Sequence, residues 1–549
     1  MVSKATLARA SVGAVAVVLA APVAGLAQYT DVPRPPAYAL ENVTVVQADG
    51  RRLENVTVVV RGPLIEAMGP NVTVPADARV LDGDSLVVYP GLVDGDGDAD
   101  VELPRPAVDR ESVEIWNAPR SLQGFMPARR LASHLTATGP DLEDARQEGI
   151  VAAAIHPGGA MMPGRGALLL FRADASSPEA LVLRPELGPR FELQGAPGVY
   201  PATLFGVMAF FRQAFEDARH HGLRLAAFEA DPRGMGPPTH DADYAVLREV
   251  LEGLPVYFEA DDATDILRVI GLADEYGFRP VIVGGGEAWK VADPLLERGI
   301  PVLVSVDFDE PRRWDPEADT ALDAAAEREK RELEDRYANA GRLAEAGVTF
   351  ALTSGGSGEL LEGARKAVAY GLPEAAALAA VTRTPAELLG AGYLPRLAAG
   401  LPATFVVATG PLFDEDTRVA YTFVEGWKEE GATPREGAGD PDEAVAFGGE
   451  WAMTVDAEGQ ILNGTLRIVQ EGATFTGTLT LEDDELPLRE GVINGNEISV
   501  IAVMEQGGET LDVVITGTVE GDEASGEADA GPLGVATWTA ERLGPGGAR

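Results

Sequence analysis

The segment from Leu86 to Asp100, LVVYPGLVDGDGDAD, limits the possible folds more than any other stretch of the chain. Leu86, Val87, Val88 and Tyr89 are apolar without alternation, the pattern of a strand covered on both faces. Pro90 and Gly91 interrupt the run. Leu92 and Val93 resume it, and acids then take every second position: Asp94, Asp96, Asp98 and Asp100. Read as one strand, period 2 sends all four carboxylates to the same face. Like charges that close require a cation, basic partners or water.

Around this segment the pattern divides the chain into three kinds of sequence. Residues 39–89 are short β-rich runs separated by Asp-Gly, Arg-Gly and Met-Gly-Pro turns. From about 90 to 390, strand-like runs (Ile150 to Ile155, VYFEA, RPVIV, PVLVSV, VTFALTS) alternate with helical ones, the order of a parallel α/β fold. The charged run 317–346 reads as one long solvated helix. Further strand-like runs lie around Phe405 to Ala408 and Val419 to Val424. Residues 429–446 are a Gly-, Pro- and acid-rich linker. From 447 to 549 turns recur between short alternating runs, an antiparallel barrel or sandwich of about eight strands.

Composition narrows the function. At 549 residues two or three domains are expected. A formal charge of −43 excludes nucleic acid as a partner, because phosphate binding needs a basic surface. Residues 1–27 read as a secretory leader, with Lys4 and Arg9 before an apolar core that Pro22 keeps too short to span a bilayer. Residues 28–38 form a Pro-rich linker, and a periplasmic or secreted protein is expected. The chain has no cysteine, so disulfides and thiolate chemistry are excluded.

The words PADARVLDGDSLVVYPGLVD, EAWKVAD, FALTSG and AVTRTPAELLG resemble the metal-dependent amidohydrolase superfamily, in particular its imidazolonepropionase-like branch. The resemblance covers roughly residues 40 to 428. It implies a TIM-like (β/α)8 barrel over 90–390, flanked by a β-sandwich built from 39–89 and 391–428, and hydrolysis of C–N bonds other than peptide bonds. It also implies ligand positions for a catalytic metal. The histidine pair of the first strand maps to Asp96 and Asp98, a later histidine to Glu259, another to Gly284–Gly286, and the final aspartate to Gly355. Every imidazole is therefore replaced. The Gly-Thr pairs 464–465, 477–478 and 517–518 resemble small lipocalin-like modules.

Without imidazole, zinc is disfavoured, and the carboxylates Asp96, Asp98 and Glu259 suit calcium, magnesium or manganese. A calcium loop is excluded by Ala99 and Arg105 at its sixth and twelfth positions. His156, Arg165 and Glu287 are candidates to line a substrate pocket. Their plainer roles are a structural histidine, a surface arginine pairing with the acids, and a helix-terminal acid. Lys290 reads as part of a helix start. His220 and His221 read as helix-end caps and His134 as helical surface, and His240 with Asp241 and Asp243 is a faint ligand-like cluster. The resulting expectation is an exported amidohydrolase-like protein that takes a small-molecule ligand without zinc-type catalysis. The alternatives are a hydrolase with a carboxylate-bound metal, and a ligand- or envelope-binding protein acting through its C-terminal β domain.

Overall fold

The computed structural model describes residues 35–543, except 105–112, 309–319, 416, 432–444, 458–459, 472, 482–483, 507–508 and 530–534. The leader expected over 1–27 and most of the linkers expected at 28–38 and 429–446 lie outside the described residues. Among the described residues no helix is long and apolar enough to cross a membrane.

Valine-rich runs on both flanks of the chain build one sheet of eight strands. Its N-terminal members are β1 (Ala37–Val46), β2 (Arg52–Arg61), β3 (Leu64–Gly69), β4 (Ala78–Asp82) and β5 (Val87–Pro90). The β5 strand pairs in parallel with β1, and on its other edge it meets a strand from more than three hundred residues later, antiparallel, with Val88 opposite Val407. Leu40, Val45, Val58, Val88, Phe405 and Phe423 pack as one buried cluster, with the two phenylalanine rings stacked at 4.6 Å.

The chain then enters a mixed α/β unit. Its strands are β6 (Leu92–Asp94), β7 (Ile150–Ile155), β8 (Gly164–Arg165), β9 (Ala167–Leu170), β10 (Val182–Arg184), β11 (Pro189–Glu192), β12 (Pro255–Ala260), β13 (Arg279–Gly284), β14 (Val302–Ser305) and β15 (Phe350–Thr353). One sheet runs β10-β9-β7-β6 and the other β15-β14-β13-β12-β11-β8. The pairs β6–β7 and β11 through β15 are parallel, with helices such as Leu204–Ala230 and Ala263–Tyr276 between successive strands. One stretch runs backwards: β8 is antiparallel to β11, and β9 is antiparallel to β7. Residues 164–170 therefore border both sheets. Val93, Ala152, Leu168, Tyr257, Leu303 and Ala351, drawn from both sheets, belong to one buried cluster.

Two helical expectations change. The run 317–346 is two helices where it is described, Thr320–Tyr337 and Asn339–Ala346. The second begins at a buried Asn339, whose side chain donates to Gly285 O at 2.8 Å and accepts from Trp289 N at 3.1 Å. That clamp on the turn after β13 sets the break. His220 and His221 do not end a helix, because Leu204–Ala230 continues through Gly222. His221 instead lies 2.9 Å from Thr239 O.

The last strands of the flank sheet are β16 (Phe405–Ala408), β17 (Val419–Val424) and β18 (Trp427–Glu430). After them the chain forms a closed antiparallel barrel of eight strands, from β19 (Gly449–Ala457) to β26 (Val535–Arg542). Trp451, Phe475, Ile493 and Trp538 lie among its buried core. The repeated Gly-Thr pairs mark places where neighbouring backbone comes too near for a side chain. A Cβ at Gly464, Gly477 or Gly517 would fall 2.2, 2.0 or 2.4 Å from a carbonyl oxygen of a neighbouring strand. At Gly517 it would also meet the Trp538 ring at 2.5 Å. Gly517→Ala is expected to destabilise this barrel by about 1–3 kcal/mol through overpacking. Denaturant unfolding with a tryptophan signal measures this, and an unchanged midpoint would refute the close-approach account.

Candidate functional site

The acids after β6 divide into three environments. Asp94 is 1% exposed and turns towards the end of β15. Its carboxylate accepts from Thr353 Oγ1 at 2.5 Å, Ser354 Oγ at 2.5 Å and Ser354 N at 3.2 Å. It also accepts from Asp96 N at 3.1 Å, a bond that bends the chain at Gly95 in the manner of an Asx turn. The strand ends there, which overturns the expectation of four carboxylates on one face. Asp98 and Asp100 are exposed and border a cavity of about 500 Å³ with other acids, among them Asp141, Asp144 and Glu359. Asp98 Oδ1 accepts from the neighbouring Ala99 N at 2.9 Å.

Asp96 goes elsewhere. Both of its oxygens contact Arg190 Nη1, at 2.7 and 2.8 Å, while Arg190 Nη2 donates to Glu259 Oε2 at 2.8 Å. Parallel pairing of β11 and β12 places this arginine beside Glu259. Asp96 and Arg190 have side chains only 12% and 14% exposed, whereas Glu259 is half exposed. Burial raises the Asp96 carboxyl, but the charge and hydrogen bonds of Arg190 outweigh it and hold the group below the usual range. Arg190 itself is held above its ordinary value by Asp96 and Glu259, against the opposing effect of burial.

His156 follows β7 and its side chain is fully buried, the ring 4.4 Å from that of Tyr257. Its Nδ1 stands 3.5 Å from Asp96 Oδ1, too far for a formed hydrogen bond, and neither ring nitrogen has a partner. Burial depresses its pKa, so the ring is neutral at pH 7. Glu192 follows Arg190 by two residues on β11, with Oε1 at 3.9 Å from Arg190 Nε. Burial, with the Glu259 charge adding to it, pushes this carboxyl up to about 7. The loop between β7 and β8 covers it, since Glu192 N donates to Met161 O at 2.8 Å and Met161 N to Gln194 O at 3.0 Å.

The remaining candidates serve other contacts. Arg165 lies away from Asp96, paired with Glu186 and Glu249 at 3.2 Å each, so the basic partner of the acids is Arg190. Glu287 accepts from Ala263 N at 3.1 Å, at the start of helix Ala263–Tyr276, and pairs with Lys290. Asp241 and Asp243 both pair with Arg120, at 2.8 and 3.4 Å, and the adjoining His240 is exposed. Gly355 takes a left-handed backbone, φ +65°, with Ser305 Oγ 2.8 Å from where its Cβ would be, so an aspartate there would be strained. Arg190 and Glu192 were missed from sequence. The one available signal was the demand of the acid run for a basic partner.

The superfamily resemblance implies a metal at these strand ends, where the side chains at the family ligand positions pair with an arginine. A guanidinium already lies between the two carboxylates at family ligand positions, and Asp98 faces a different cavity. Among the described residues no three His, Asp or Glu side chains are placed to hold a metal ion.

No protein-family model matches the sequence. A dihydroorotase of Anaeromyxobacter dehalogenans is 27% identical over 258 residues, 46% of this chain and 54% of that protein. The chain thus spans about half the length of the curated relative it matches. The crystal structure of an amidohydrolase from Thermotoga maritima aligns over 99% of its own chain and 71% of this one, at 23% identity and a TM-score of 0.57. These likenesses bear out the resemblance to the amidohydrolase superfamily, the second as a matter of fold.

Two outcomes follow from the geometry. Asp94→Ala leaves the Ser354 hydroxyl and the backbone N–H groups of Ser354 and Asp96 without their acceptor, while Thr353 Oγ1 keeps Asp96 O at 2.7 Å, and is expected to cost about 2–4 kcal/mol in denaturant unfolding. Glu192 keeps its proton in the folded state up to about pH 7, while the unfolded chain releases it near the ordinary 4.5. Folded stability therefore falls as pH rises through that window. Glu192→Gln should flatten the fall and leave the variant about 1–3 kcal/mol more stable than the native chain above it. Parallel stability–pH curves for the two proteins would disprove the raised pKa.

Proposed function

We propose that this chain is an exported amidohydrolase-fold protein that binds a small molecule at its strand ends and does not carry out zinc-type hydrolysis. In this reading the two sheets of the α/β unit are a TIM-like (β/α)8 barrel over 90–390 with one reversed stave, residues 164–170. The buried cluster shared by both sheets and the Asp94 bonds from β6 to β15 support that closure. The flank sheet (39–89 and 391–428) and the β domain (447–549) are separate units, and the protein is periplasmic or secreted.

The observation that carries the functional reading is the Arg190 guanidinium, held at 2.7–2.8 Å from Asp96 and Glu259. Zinc-type hydrolysis needs an open coordination position and a base for the bound water. Here the carboxylates are engaged by an arginine, the imidazoles are absent from the family ligand positions, and Gly355 stands in place of the aspartate. Calcium, magnesium or manganese at Asp96 and Glu259 would have to displace the same guanidinium.

Protein purified without chelators or a histidine tag should contain far less than one equivalent of zinc, manganese or iron. It should show no chelator-sensitive turnover of amides, lactams or cyclic ureides. Stoichiometric metal together with chelator-sensitive turnover would overturn the reading.

A further inference from the structure

We infer that the Arg190 guanidinium is a built-in replacement for a divalent cation, and that removing it opens a cation site formed by Asp96, Glu259 and His156. The inference rests on the metal-free reading above and extends it to what holds the strand ends together.

The charges support the substitution. Asp96 and Glu259 reach Arg190 from the segment after β6 and from β12, and Arg190 itself comes from β11, so one cation joins three segments. Asp96 is almost entirely buried, and a carboxylate in that position needs either a positive partner or a proton. His156 gives an independent sign that the position suits a metal. Its ring is wholly buried, no hydrogen bond satisfies either nitrogen, and Nδ1 points at Asp96 Oδ1 from 3.5 Å. Two donors bound to one first-row metal at about 2.1 Å stand at comparable separations. Glu259, half exposed, can swing inward once the guanidinium is gone. One nitrogen and carboxylate oxygens suit zinc or manganese in the resulting site.

The test compares thermal unfolding of the full chain as the native protein, Arg190→Met, Arg190→Lys and the double variant Arg190→Met/Asp96→Asn. Each is measured with chelator, and with zinc or manganese chloride at matched ionic strength. With chelator, Arg190→Met should melt several degrees below the native protein. Arg190→Lys should lie between them, and the double variant should recover part of the loss because no buried carboxylate is left unpaired. Zinc or manganese should raise the melting temperature of Arg190→Met, and leave the native protein and the double variant unmoved. Should Arg190→Met fail to fold with chelator, its recovery as folded protein from metal-supplemented cultures supports the inference, and failure there as well overturns it. A metal response equal in the native protein and Arg190→Met, or absent from both, also overturns it. Native protein free of metal with an unresponsive Arg190→Met would sink this inference alone, whereas metal in the native protein with turnover would sink the functional reading.

Discussion

A buried carboxylate needs a positive charge, hydrogen-bond donors or a proton, and for Asp96 one arginine meets that demand at the strand ends. Arg190 lies in a short strand between two sheet partners and holds Asp96 and Glu259 at hydrogen-bond distance. In a low-dielectric setting such contacts are strong but demanding, because each ion forgoes its hydration. The arrangement is stable only if the geometry is kept, so β11, β12 and the bend after β6 are mutually constrained. Glu192 shows the limit of the same cation. Glu192 lies 3.9 Å from the same guanidinium, and burial with the Glu259 charge keeps its proton on up to about pH 7.

Asp94 supplies a second constraint of a different kind. No ladder joins β6 to β15 among the described residues, yet the Asp94 carboxylate collects two hydroxyls and a backbone N–H from Thr353 and Ser354. A cluster of side-chain hydrogen bonds thus does at this seam what a ladder does elsewhere. The two neighbouring acids, two residues apart, differ in chemistry because the chain bends between them, at a Gly95 packed so closely that a Cβ would lie 2.9 Å from the Leu303 side chain.

Much of the architecture could be read from the chain because it is written in local pattern. The alternation of apolar strands with helices is periodic, and so is the recurrence of turns that ends in an eight-stranded antiparallel barrel. The acid run was visible as a demand for charge, but its answer was not. Arg190 sits in PRFE, where nothing local separates it from any surface arginine, and only the pairing of β11 with β12 brings it to Glu259. Period 2 failed after Asp94 because a side-chain bond to Asp96 N outcompeted the strand. The long helix failed at Ala338 for a related reason, since Asn339 serves the turn at Gly285 and Trp289. In each case a polar side chain found a tertiary partner that no periodicity reports.

The backward stretch 164–170 has its own bearing on how such a protein can diversify. Where strands run parallel, each one hands the chain to its own exit loop, and those loops can be lengthened or exchanged one at a time. Here β7 and β9 pair antiparallel, so a single connection, residues 156–166 with β8 inside it, serves both of them. That connection is also stitched to the continuation of β11 through Met161. An insertion in it would disturb the bonds that Met161 makes to Glu192 and Gln194. On this side the connection and the strands it joins change as a block, and variation is freer in the loops that follow the parallel strands.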